Sequence, residues 1–270
     1  MASINTNVGA QVALANLSTT QYNLNTTQNQ ISTGLKVTNP VDDAAVFAIA
    51  QGLRSNINAY TAVQQSLSSA TGILSVAIAG ATSVSNLLSN INSTAIEASN
   101  PSNTSSQQSI LAANFNAQLQ QLNTFINNAV YNGLNLLSAG AASVSVTSTI
   151  SGGQLTLTNA SSLSGVSVAL SGGVATTAAA LSLLSTITAQ ELVVGEALGT
   201  LGAAQNSVNF LTTFTQALSN SVTQGLGSLV DANLAQASAK LQSLQVQQQL
   251  GVQALSIANA RPQILLSLFR

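Results

Sequence analysis

Asp42 and Asp43 stand side by side in the stretch ISTGLKVTNPVDDAA (residues 31–45), with Lys36 just upstream. The whole chain has only six acidic and five basic side chains, so chemistry is sought here first. An adjacent carboxylate pair serves general acid–base catalysis, or holds a hard cation, or fixes a helix start. Catalysis needs a partner group whose pKa is set apart from the pair, and a cation needs further oxygen ligands. No other carboxylate lies nearby in sequence. Histidine and cysteine are both absent, which removes zinc sites, disulfides and every histidine-based triad. A Ser–Lys nucleophile would have to use Lys36 or Lys240, both in terminal segments patterned as packing helices. From Ala98 to Gln190 there is no acidic or basic residue at all. The residues therefore predict no enzyme, no metal and no cofactor. The third use fits: Asn39 suits an N-cap, Pro40 the first helical position, and Asp42 the free N–H groups of a first turn. One cap cannot use both carboxylates equally, which leaves Asp43 to reach a neighbouring segment or subunit.

The composition narrows the class further. The chain of 270 residues is 46% hydrophobic and 4% charged, with net charge −1 and no Trp. About 25% charge is ordinary for globular proteins, so Ser, Thr, Asn and Gln must carry the solvated surface. No basic patch for nucleic acid exists. The N-terminal MASINTNVGAQVALANL lacks the basic start and apolar core of a cleaved signal peptide. Polar residues interrupt every apolar stretch before about 18 residues, so no membrane span is expected.

Two heptad seams mark the ends of the chain. Leu17, Leu24 and Ile31 recur every seven residues, with Leu14 and Leu35 beside them, and predict a helix over about 3–35. Leu234, Ala237, Leu241, Leu244, Gln248, Gly251, Leu255 and Ala258 alternate spacings of three and four near the other end. Either these are two helices of a globular bundle, or the termini pair with each other as a coiled coil. A long helix is predicted over about 41–99, ended by SNPSN, with helix again over 104–130 and 182–222. TQGLGS (223–228) reads as a glycine-containing joint before the last helix. Residues 139–180 differ: SVSVTSTI, QLTLTN and GVSVAL alternate apolar and polar residues between Gly-Gly turns, predicting two or three short strands. The expected fold is mainly α, with long terminal helices pairing as a coiled coil, a central helical bundle and a small β insert. The domains expected are 1–40 with 228–270, 41–138 with 181–227, and the insert 139–180.

ISTGLKVTNPVDDAAVFAIAQGLRSNI (31–57) closely resembles the N-terminal signature of bacterial flagellins. LVDANLAQASAKLQSLQVQQQLGVQALSIANARPQILLSLFR (229–270) resembles their C-terminal signature, and YNGLNLL (131–137) resembles the segment ending the second outer helix. The resemblance implies an extracellular subunit that polymerises with itself into the hollow helical filament of the bacterial flagellum. It implies partners in the flagellar type III export apparatus, an export chaperone, and cap and junction proteins. Leu14, Leu17, Leu24, Ile31, Leu234, Leu241, Leu244 and Leu255 become inner-tube packing residues. Lys36, Asn39, Pro40, Asp42 and Asp43 become the spoke between inner and outer tubes. Asn90, Asn92 and Ser93 fall where many flagellins place two Arg and a Glu that engage an animal innate-immune receptor, while Leu88, Ile91 and Ile96 keep the apolar spacing. The resemblance thus implies weak receptor activation. The alternatives are a hook–filament junction protein, whose termini would carry the same heptads, and a flagellin-like surface adhesin. The absence of any aromatic residue from 132 to 209 speaks against a sugar-binding platform.

Overall fold

The computed structural model describes the backbone of residues 6–268 and the side chains of residues 6–260. The expected helix start at residue 3 and the closing Leu-Phe-Arg fall partly or wholly outside these. The elements are α1 (Val8–Thr33), α2 (Ala44–Ala98), α3 (Ser105–Asn128), β1 (Val144–Thr147), β2 (Gln154–Leu157), a 3-10 turn (Ser161–Leu163), α4 (Ser164–Ala169), α5 (Thr177–Val230) and α6 (Leu234–Leu268). The chain is mainly helical with one two-stranded antiparallel sheet, as expected. It divides into two compact units, residues 1–55 with 221–270 and residues 56–220.

Each helix begins and ends where local chemistry allows. The Asn7 side chain accepts from Ala10 N at 3.0 Å and caps α1. Gly34 ends it in the left-handed region at φ 71°, its N–H donating to Gln30 O, a conformation that costs glycine no Cβ clash. Thr104 and Gln107 form a reciprocal capping box at α3, satisfying two of the free donors that every helix start leaves. Asn233 caps α6, accepting from Gln236 N at 3.2 Å.

The 56–220 body packs around one stripe of α2. Leu67, Leu74, Ala81, Val84, Leu88 and Ile91 on that stripe are buried, against Phe115, Leu122 and Ile126 of α3 and Leu183, Ile187 and Leu201 of α5. Windows within α2 and α5 reach mean hydropathies of 1.5 and 1.4, enough by length and composition for a bilayer. Part of that hydropathy is spent on the core stripes, and Ser, Thr, Asn and Gln fill the remaining faces.

Residues 139–180 do not form a separate body, because Val146, Leu157, Leu163, Val166, Leu170 and Val174 all join the same core. Two of the three expected strands form, paired from Val144 with Leu157 to Thr147 with Gln154. The third, GVSVAL, is helix instead and makes up most of α4. Leu163, Val166, Ser167 and Leu170 are buried and Val168 is 71% exposed. That burial follows helical spacing i, i+3, i+4, i+7, a pattern the apolar–polar alternation masks.

The glycine joint is also displaced. α5 runs through Gly225 and Gly227 to Val230 and starts earlier than expected, at Thr177. The break comes at residues 231–233, where Lys36 N donates to Val230 O at 2.7 Å and Ala232 N to Gly34 O at 2.8 Å. These bonds give the ending helix and the crossing segment partners for their backbone groups. Gly227 serves this turn in another way: a Cβ there would lie 2.8 Å from the Asp231 carboxylate.

One buried polar side chain fastens the insert. Gln108 Nε2 donates to Ala98 O at 3.1 Å and to Val174 O at 2.7 Å. Gln108→Leu would orphan both carbonyls, and a buried unsatisfied group costs about 1–3 kcal/mol. The body of that variant should unfold at lower denaturant with an unchanged m-value, measured by circular dichroism. Equal stability would show that water reaches these carbonyls.

Candidate assembly surfaces

Helices α1 and α6 pack antiparallel. Asn7 Nδ2 donates to Ala258 O at 2.8 Å, Gln248 Nε2 donates to Gln21 Oε1 at 2.6 Å, and Leu35 bridges Asp231 at the other end. A Cβ built on Gly251 would lie 3.2 Å from Leu17 Cδ1, so glycine makes the hole that this knob enters. On α1 the seam runs Ala10, Ala13, Leu17, Thr20, Leu24, Thr27, Ile31. On α6 it runs Ala237, Leu241, Leu244, Gln248, Gly251, Leu255, Ala258. All of these are buried or half-buried. The coiled-coil alternative read from the sequence is the one observed.

Two expected seam residues do not take part. Leu14 is 57% exposed and Leu234 is 50% exposed. Leu14 follows Ala13, which holds the seam position, and one residue turns the helix by about 100°. The α1 seam position after Ile31 is Gly34, which offers no side chain to cover Leu234.

A second apolar stripe lies on the opposite side of each helix. Val8, Val12 and Tyr22 on α1, linked through Ala15 and Thr19, repeat spacings of four and three. Val246, Leu250 and Ile257 mark the outer side of α6. These six large side chains are 54–64% exposed. A pair with one apolar seam inside and another outside is built to pack against more than one helix.

The joint of residues 36–43 reverses the expected roles of its two carboxylates. Asp42 Oδ2 accepts from Thr38 N at 2.9 Å, Thr38 Oγ1 at 2.9 Å and Asn39 N at 3.0 Å. Asp42 N donates back to Asn39 O at 3.1 Å, closing a β-turn with Pro40 in its favoured second position. Asn39 and Pro40 therefore make a turn rather than a helix start. Asp43 is the N-cap of α2, with Oδ1 accepting from Ala45 N at 3.0 Å and Val46 N at 2.9 Å. Its carbonyl takes the first helical bond, from Phe47 N. The expectation that Asp43 reaches a separate segment fails within this chain, because Asp43 serves its own helix. Proline favours the turn after Asn39, and the first free N–H groups then fall three residues later, beside Asp43. Among the described residues no group of three acidic side chains gathers to hold a metal ion.

The hydrogen bonds from the Thr38 and Asn39 backbone and the Thr38 hydroxyl hold the Asp42 carboxyl below its ordinary value, against a small opposing effect of burial. A depressed carboxylate stabilises the fold above the ordinary carboxylate range, and that contribution is lost as pH falls through the lowered value. Acidification should therefore open this turn before the body, read as faster amide exchange at Thr38 and Asn39. Asp42→Ala should open it at neutral pH. Asp43→Ala should instead fray the first turn of α2, at about 0.5–2 kcal/mol for a lost cap. The same exchange pattern in both variants would undo the division of labour.

In the body, YNGLNLL closes α3. Asn132 at φ 48° and Gly133 at φ 79° are the two central residues of a tight turn in which Tyr131 and Leu134 exchange both backbone bonds, the geometry Asn-Gly favours. Asn135 Nδ2 donates to Ile126 O at 2.7 Å, and Asn135 Oδ1 accepts from Leu137 N at 2.8 Å, capping the helix end. The sequence gave no sign that Gly72 and Gly80 of α2 leave space for this turn and for α3. A Cβ on Gly72 would sit 2.5 Å from the Tyr131 ring, and one on Gly80 2.8 Å from Ala129 Cβ.

Asn90 and Ser93 are exposed on α2, and Asn92 Nδ2 donates to Glu191 Oε1 at 3.2 Å. Leu88 and Ile91 beneath them are buried, whereas Ile96 is 55% exposed and Ala95 takes the core position.

The comparisons with known proteins agree at both ends of the chain. Residues 4–142 match the bacterial flagellin N-terminal helical region and residues 184–269 the bacterial flagellin C-terminal helical region. The chain is 36% identical over 269 residues to flagellin FljO of Caulobacter vibrioides, covering 99% of this chain and 98% of that protein. It is 33% identical over 292 residues to a flagellin of Brucella melitensis, covering 100% of each. A crystal structure of Bacillus cereus flagellin aligns at 17% identity with a TM-score of 0.40, over 65% of this chain and 94% of that one. On the two family matches and these full-length relatives, the chain belongs to the bacterial flagellin family.

Proposed function

We propose that this chain is the structural subunit of a flagellar filament, polymerising with itself outside the cell into a hollow helical tube for swimming. Residues 1–40 and 228–270 form its inner tube and residues 41–138 and 181–227 its outer tube, with 139–180 toward solvent. The export apparatus of the flagellar type III system delivers the chain unfolded, a chaperone holds the C-terminal helix beforehand, and cap and junction proteins bound the polymer. The observation that carries this reading is the α1–α6 pair with apolar stripes on both sides. Ordering such helices costs about 1–2 kcal/mol per residue for the backbone alone. A thin seam of Ala, Thr, Gln and Gly with few leucines offsets little of that. The outer stripes supply the remainder only when neighbouring subunits cover them.

Electron microscopy of the purified chain, seeded with sheared filaments, tests the reading. Long helical polymers are expected. Short or absent polymers would favour the junction role.

Asn90, Asn92 and Ser93 present amides and a hydroxyl where receptor-engaging flagellins present charge. Purified filaments should give little signal in a reporter line for the flagellin-sensing innate receptor. Robust signalling would refute the assignment of those three positions.

A further inference from the structure

We infer that the Phe210–Phe214 side of α5 is a contact surface for a second copy of this chain, held by apolar burial and not by ion pairs. The inference rests on the filament reading and adds a specific surface on the 56–220 body to it. Phe210 is 76% and Phe214 60% exposed, and Leu192 is 73% exposed. At about 100° per residue the three lie within roughly 40° of one another around the helix. Between them Gly195, Gly199 and Ala203 are exposed and leave the helix flat. Phe214 also borders an apolar cleft lined by Tyr60, Val63, Ile150, Leu211 and Leu218. Only 22% of the most apolar 18-residue window of α5 is buried, against 39% in α2. The hydropathy of α5 therefore exceeds what its own core uses.

Charge selects the occupant. Glu97, Glu191 and Glu196 are the only charged residues between 56 and 220, and α5 carries none after Glu196. A membrane surface is a poor match, because interfacial helices use Lys and Arg toward lipid headgroups and this body has neither. A partner chosen by ion pairs finds nothing to pair with beside the phenylalanines. An electroneutral surface of the same chain, 4% charged and 46% hydrophobic, meets the face without stranding a charge.

Area sets the condition under which contact forms. From about 150–250 Å² per aromatic side chain, the two phenylalanines leave on the order of 250 Å² open. With Leu192 and the cleft, the face approaches the roughly 300–600 Å² typical of a monomer's largest apolar patch. That falls short of the roughly 800 Å² per partner of a stable free-standing complex. Free subunits therefore stay apart, and the face closes only in a polymer whose other contacts hold the copies together.

The test uses the full chain, which lacks cysteine. Ala203→Cys carries one environment-sensitive dye, mixed at low fraction into seeded growth. A blue shift on polymerisation is expected, equal in low and moderate salt. Phe210→Ser/Phe214→Ser should raise the critical concentration for growth by roughly tenfold or more and leave the melting of the free body unchanged. An unshifted dye in filaments, or growth of the double variant at the wild-type critical concentration, would overturn the contact. So would a shift seen only with phosphatidylcholine vesicles, which would give the face to lipid. Failure of the wild-type chain to grow on seeds would defeat the filament reading, and this contact with it.

Discussion

Leu24→Ala combined with Leu244→Ala is expected to abolish filament growth while the 56–220 body folds and melts as before. Leu24 is 5% and Leu244 6% exposed, and both lie in the α1–α6 seam. Truncating a buried leucine costs about 2–5 kcal/mol. The rest of the seam is too poor in large side chains to absorb two such losses. Every subunit would carry the defect, so a polymer multiplies it. Seeded growth followed by light scattering reads the loss, and circular dichroism melting reads the intact body. Leu14→Ala with Leu234→Ala is the informative contrast, since both side chains stand outside the seam. That variant should keep α1 and α6 paired, whatever it does to contacts between copies. Normal growth of the Leu24/Leu244 variant would remove the pair from the assembly account.

Gly80→Val is expected to destabilise the body by about 2–3 kcal/mol, within the range for overpacked cores. A Cβ at this position would lie 2.8 Å from Ala129 Cβ and 2.9 Å from Leu137 Cδ1. Leu137 has other rotamers, but Ala129 has none, so the end of α3 must move. Replacing a helical glycine ordinarily gains up to about 1 kcal/mol in propensity, which the clash outweighs. For a body of this size the melting temperature should fall by roughly 5–10 °C. Gly199→Ala separates the two effects, because nothing lies within 4 Å of a Cβ there, and propensity alone should raise stability. A valine at position 80 that matched wild type would mean α3 does not approach α2 as closely as described.

These two cases also mark how far the sequence could be read. The seam through Leu24 and Leu244 was legible because heptad spacing is a property of the chain alone, and so was the mainly helical class. The placement of Leu14 and Leu234 was not. Spacing names neighbours on a helix, while burial depends on what stands across from them, here Ala13 in one case and Gly34 in the other. Asp42 and Asp43 were recognised as a joint with their roles exchanged, since both orders satisfy cap preferences. Only the Asn39–Asp42 turn decides which carboxylate meets the first free N–H groups. GVSVAL carries a strand-like alternation and a helical spacing at once, and packing against the core selects the helix. Gly72 and Gly80 are silent in sequence, because a mid-helix glycine looks like a weak point until something is seen to press against it.

Cryo-electron microscopy of the assembled filament tests the central claim most directly. The account predicts α1 and α6 paired antiparallel around the lumen, with Leu17 against Gly251 and Gln21 bonded to Gln248 as in the single chain. The outer stripes at Val12 and Leu250 should be covered by neighbouring subunits. A lumen lined by other segments, or terminal helices separated from each other, would contradict it.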